Sequence, residues 1–114
     1  HNNQQLAFAN TIEALTRGVS YLDVTVSGMG RGAGNCASEI LLGFLKNPKY
    51  NILPILDILE NEIEPLKEQG VVWGYNIPYL LTGQLNQHPR TAIAATKEKR
   101  TDYRNFYVEL VDYK

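Results

Sequence analysis

An imidazole at His1, a carboxylate at Asp23 and an amide oxygen at Asn35 form, by residue type, a donor set for a divalent cation. Mixed nitrogen and oxygen donors suit Mn²⁺, Mg²⁺ or Zn²⁺ better than a soft metal. Between Asp23 and Asn35, glycine recurs at every second position, Gly28, Gly30, Gly32 and Gly34, separated by Met29, Arg31 and Ala33. Ordering each glycine costs roughly 0.5–1 kcal/mol relative to alanine, so something requires that backbone, either positive φ or close approach. The same loop admits a second chemistry. Gly28, Gly30 and Ala33 fit G-x-G-x-x-A, a dinucleotide fingerprint that would set a pyrophosphate on the N-terminus of the next helix. That fingerprint wants an acidic ribose ligand after a second strand, and Asp57 falls instead in an amphipathic repeat. A third reading has no catalysis: a helical interaction module with an aromatic-rich tail.

The elements around these residues follow from periodicity. Leu22, Val24 and Val26 alternate with Tyr21, Asp23, Thr25 and Ser27, which predicts a strand with one apolar and one polar face. The glycine loop follows it, and Ile40, Leu41, Phe44 and Leu45 predict a helix from Cys36 to Lys46 with Asn35 at its N-cap. Upstream, the polar opening His1 to Gln5 leads into a helix whose stripe is Leu6, Ala9, Ile12 and Leu15, with Gly18 as its stop. Residues 1–50 thus read as about one and a half βα units of a parallel α/β structure. Residues 51–114 read as a helical region: Leu53 to Gln69, kinked or ended at Pro65; a helix opened by Pro78; a short one from Thr91; and a last one from Asp102. That last helix should bury Tyr103, Phe106, Tyr107 and Leu110.

Composition narrows the classes. The formal net charge is −1, from 11 Lys and Arg against 12 Asp and Glu, which gives no pull toward nucleic acid or an acidic membrane. The cluster Lys97, Lys99, Arg100 and Arg104 is broken by Glu98 and Asp102 and reads as a solvated face. No apolar run reaches membrane-spanning length. A single cysteine excludes an internal disulfide, and a reducing, cytoplasmic setting is expected. The first residue is His and no leader pattern follows it, so the reading expects a piece of a longer chain.

The stretches HNNQQLAFANTIEAL and LDVTVSGMGRGAGNCASEIL resemble the terminal barrel units of the metal-dependent lyases related to HMG-CoA lyase. These include 4-hydroxy-2-oxovalerate aldolase, to which the similarity is greatest, and their fold is a TIM barrel. The resemblance implies that His1 is the second histidine of an H-x-H metal motif, that Ala9 and Asn10 are its A-N pair, and that Gly34 and Asn35 are the G-N pair beside the metal. It further implies Mn²⁺, with Mg²⁺ or Zn²⁺ as alternatives, and a small 2-oxo acid substrate. Arg31 and Gly32 would meet its anionic group. Gly74 and Tyr75 match a G-Y segment near the barrel mouth, making Tyr75 a pocket wall or else a core aromatic. Asp23 would orient a ligand or make a buried structural hydrogen bond. The Asp-Arg-Glu motif and the first histidine of H-x-H are absent, so the chain alone is expected to be inactive without the remainder of the barrel. A partner aldehyde dehydrogenase or a homodimer is a further implied association. Cys36 follows Asn35 and does not match the catalytic cysteine of the lyase branch.

Overall fold

The structure, a computed structural model, describes residues 1–112. Helix α1 (Ala7–Thr16) starts where Asn2 Oδ1 accepts the Ala7 N–H at 3.2 Å and stops at Gly18, whose φ is +89°. Its inward face is Ala7, Phe8 and Ile12, packed with Leu22, Val24, Cys36 and Leu41. The expected stripe is therefore corrected: Leu6, Ala9 and Leu15 are exposed, because the helix turns a neighbouring line of side chains to the core.

The polar-apolar alternation of residues 21–24 is real, with Tyr21 and Asp23 exposed and Leu22 and Val24 half-buried. The strand is not. Among the described residues there is one isolated parallel bridge, Thr25 to Ala37, made by Thr25 N–H to Cys36 O at 3.0 Å and Ser38 N–H to Thr25 O at 2.8 Å. A strand exists only as a ladder with a neighbour, and among the described residues the pairing goes no further than this one bridge. Beyond Thr25 the chain tightens into a 3₁₀ turn, Val26–Gly28, with Ser27 at φ +58°.

Helix α2 (Ser38–Leu45) follows the glycine loop, and Lys46 closes it in the left-handed conformation. Helices α3 (Leu53–Ile58) and α4 (Glu64–Glu68) are joined through a π turn, Leu59–Ile63. Pro65 neither ends this helix nor breaks it. Proline lacks an N–H and its ring conflicts with the carbonyl four residues back; the widened turn just before it, with Glu64 N–H bonded to Leu59 O, accommodates both. Helix α5 (Ile77–Gln84) has Asn76 as N-cap, its side chain accepting the Tyr79 N–H at 2.9 Å. Helices α6 (Arg90–Lys97) and α7 (Tyr103–Asp112) complete the described chain. Ala33, Tyr79 and Ala92 form one small core, and Ala95, Phe106 and Leu110 another. Tyr103 and Tyr107 are 38% and 43% exposed, so the buried stripe of α7 is narrower than its sequence suggests. The described residues make a slab of 51 × 38 × 16 Å, and no helix among them is long and apolar enough to cross a membrane.

The basic cluster is partly neutralised. Arg100 bonds Asp102 through Nε and Nη2 at 2.9 and 2.8 Å and Glu109 through Nη1 at 2.9 Å, tying the α6–α7 turn to α7. Hydrogen bonds from Arg100 hold the carboxyls of Asp102 and Glu109 below the ordinary carboxylate range. Their stabilising effect is complete above that range and is lost as the pH falls through the lowered folded-state values. Arg100→Gln should therefore lower the melting temperature at neutral pH and flatten its acid dependence; parallel Tm-against-pH curves for both proteins would contradict this.

Candidate active site

Asn35 is the most tightly built residue of the glycine loop. Its backbone N–H donates to Gly28 O at 2.9 Å and its Nδ2 donates to Met29 O at 3.2 Å. With Nδ2 spent on that carbonyl, Oδ1 is the group the side chain can offer to a ligand. Three glycines make room for this. A Cβ on Gly30 would fall on the Asn35 amide nitrogen, one on Gly34 on the Gly28 carbonyl, and one on Gly28 would stand 2.8 Å from Asn35 O. Gly28 and Gly34 also have φ of +63° and +79°.

Asn35 is not the N-cap of α2. The helix starts at Ser38 with Ala37 extended before it and no side-chain cap, while Glu39 reaches back to accept the Ser27 N–H at 2.9 and 3.1 Å. Because α2 starts later than its apolar pattern predicts, the Asn35 side chain is released from capping. Gly34 N–H is bonded to Arg31 O, so it is not offered to a ligand.

His1 reaches the same place from the other direction. Asn2 N–H donates to Gly34 O at 3.0 Å, which pins the opening segment one residue from Asn35. His1, Asn10, Tyr21, Asp23, Thr25 and Asn35 line one cleft of about 500 Å³ beside α1. One imidazole, one carboxylate and one amide among the residues of this cleft are by type donors for a hard or borderline divalent ion, as part of a coordination shell. Among the described residues no three His, Cys, Asp or Glu side chains gather into a cluster, so the shell would need further donors. Asp23 is exposed in the cleft rather than buried in a structural hydrogen bond.

Arg31, Gly32 and Tyr75 do not line this cleft. Arg31 is exposed. Gly32 faces its own chain: a Cβ there would stand 3.1 Å from the Tyr79 ring, and its carbonyl accepts the Gly74 N–H at 3.0 Å. Tyr75 is 40% exposed and is not a core aromatic. His88 Nδ1 accepts the Arg90 N–H at 3.2 Å at the start of α6. Trp73 donates through Nε1 to Ser27 O at 3.0 Å, across 46 residues. No local pattern announces a contact of that range.

The loop glycines thus serve contacts inside the chain, which removes the close-approach rationale of a dinucleotide fingerprint. The HMGL-like family profile matches residues 1–59, the segment that carries both His1 and Asn35. The chain belongs to the HMGL-like family. It is 30% identical over 115 residues to 4-hydroxy-2-oxovalerate aldolase of Carboxydothermus hydrogenoformans, covering 96% of this chain and 34% of that protein. It is 52% identical over 46 residues to oxaloacetate decarboxylase of Mycobacterium tuberculosis, covering 40% of this chain and 14% of that one. A crystal structure described as the N-terminal domain of a candidate aldolase from Bacteroides vulgatus matches with a TM-score of 0.71 at 36% identity, over 84% of this chain and 32% of that one. The chain therefore spans about a third of the length of the aldolase relative it matches along most of its own length. HMGL-like membership and the structural likeness imply part of a barrel, while the described residues themselves form helices and one isolated bridge and no strand. The relatives act on 2-oxo acids by name, and a divalent metal is the cofactor the family implies.

Two glycines of opposite function test this description of the loop. Gly30→Ala should expel the Asn35 amide from Met29 O and displace its side-chain NH₂ resonances. Gly43→Ala, inside α2 with nothing within 4 Å of the added methyl, should raise stability by about 0.5–1 kcal/mol in urea titrations. An unmoved Asn35 signal in the first variant would contradict the loop geometry.

Proposed function

We propose that this chain is the closing part of a TIM-barrel, divalent-metal-dependent lyase. It would break or form a carbon-carbon bond next to a 2-oxo acid, in the manner of 4-hydroxy-2-oxovalerate aldolase. The observation that carries the reading is the shared cleft of His1, Asp23 and Asn35, in a chain whose family match covers those residues. The His1 imidazole and Asn35 Oδ1 are the proposed ligands, and Mn²⁺ is the proposed ion. When bound, the ion supplies Lewis-acid stabilisation of the negative charge that develops on the 2-oxo oxygen as the bond breaks.

The chain's own residues do the rest. Asp23, on the cleft wall, accepts a hydrogen bond from a ligand or a water and so fixes its orientation.

The test compares the 114-residue chain with a chain extended upstream through the missing metal ligands. Cleavage of 4-hydroxy-2-oxovalerate to pyruvate should require the extension, be abolished by EDTA and return with Mn²⁺. In the extended chain, Asn35→Ala should lower kcat/KM by about 10²-fold, as loss of a group that orients or supplements a metal ligand does. Activity in the short chain would refute the partial-barrel account, and full activity of the Asn35 variant would refute its role.

A further inference from the structure

The helical region contributes a clamp to the cation-side loop. Trp73, the single tryptophan of the chain, donates through Nε1 to Ser27 O at 3.0 Å. Its neighbour Gly74 donates its N–H to Gly32 O at 3.0 Å. The loop is thus gripped at two points by consecutive residues from after α4. The indole Cδ1 lies 3.6 Å from where a Cβ on Gly34 would be, and Lys67 Nζ stands 5.7 Å from the ring centroid. The peptide gripped is an awkward one: Ser27 sits at φ +58°, its N–H held by Glu39 of α2 and its carbonyl by Trp73. The next two carbonyls, of Gly28 and Met29, are those that hold the Asn35 backbone and side chain.

We propose that Trp73 is a positioning residue for the cation site: by fixing Ser27 it sets the Gly28 and Met29 carbonyls that aim Asn35. This rests on the metal-dependent reading above. A left-handed residue outside glycine persists only where its surroundings over-determine it, and here one of the two restraints comes from the indole. Removing that donor lets the Ser27 peptide relax, and the Asn35 amide loses its fixed direction while the fold of α5 to α7 is untouched.

Replacing Trp73 by benzothienylalanine keeps the ring shape and removes only the N–H; Trp73→Phe is the encoded companion. Two readouts separate the outcomes in the upstream-extended chain: amide hydrogen exchange residue by residue, and Mn²⁺ affinity from paramagnetic broadening of the His1 and Asn35 side-chain signals. The expected result is exchange at the Asn35 amide about tenfold faster, the scale of one lost buried hydrogen bond. Exchange in α7 should be unchanged, and Mn²⁺ should bind several-fold more weakly. Unchanged exchange at Asn35, or unchanged Mn²⁺ affinity, overturns the role of Trp73. Exchange rising equally in α7 overturns it too, since the residue would then be a general prop. Absence of Mn²⁺ broadening in the unsubstituted extended chain overturns the cation reading itself, whatever Trp73 does to the loop.

Discussion

One backbone hydrogen bond, Asn2 N–H to Gly34 O at 3.0 Å, decides whether the candidate site exists. His1 is exposed and belongs to no helix, so nothing else would bring its imidazole to the wall that Asn35 occupies. A bond of this kind contributes on the order of 1 kcal/mol, which alone would not order a terminus. It is reinforced. The Asn2 side chain accepts the Ala7 N–H and so couples the same residue to α1, and Asn3 Nδ2 reaches Tyr79 O of α5 at 3.5 Å. Asn2 and Asn3 thus tie the polar opening to two regions and spend their side chains there, which leaves His1 to the cleft.

The other half of the site is a loop made rigid by close packing of backbone on backbone. Glycine usually marks freedom, yet here the missing side chains are replaced by protein atoms: the Asn35 amide against Gly30, the Gly28 carbonyl against Gly34, the Tyr79 ring against Gly32. The entropy lost in ordering those residues is offset by the hydrogen bonds that the close approach permits. That packing serves an amide that must point one way. Of the N–H groups that a pyrophosphate could use, those of Gly28, Met29 and Gly34 are already bonded to the Thr25, Val26 and Arg31 carbonyls.

Much of the helical framework was legible in residues with one physical meaning. Gly18 stops α1 and Pro78 opens α5, as the capping and proline rules require. Errors arose where a pattern has two solutions. Asn35 carries the side chain of an N-cap, but the loop offers it the Met29 carbonyl and the helix starts three residues later. Pro65 reads as a helix end unless a π turn precedes it, and apolar spacing does not encode that turn. Residues 21–25 have strand periodicity but gain only one bridge, because pairing is a property of neighbours and not of the segment. That His1 and Asn35 line one cleft was accessible only through motif order. The Trp73 contact was not accessible at all, since it joins points 46 residues apart.

The direct measurement is anomalous diffraction at the manganese edge from crystals of the upstream-extended protein grown with Mn²⁺. The account predicts one ion in the cleft, about 2.0–2.3 Å from both a His1 ring nitrogen and Asn35 Oδ1. An ion held by the α3–α4 carboxylates instead, or a filled site from which either side chain is turned away, would contradict it.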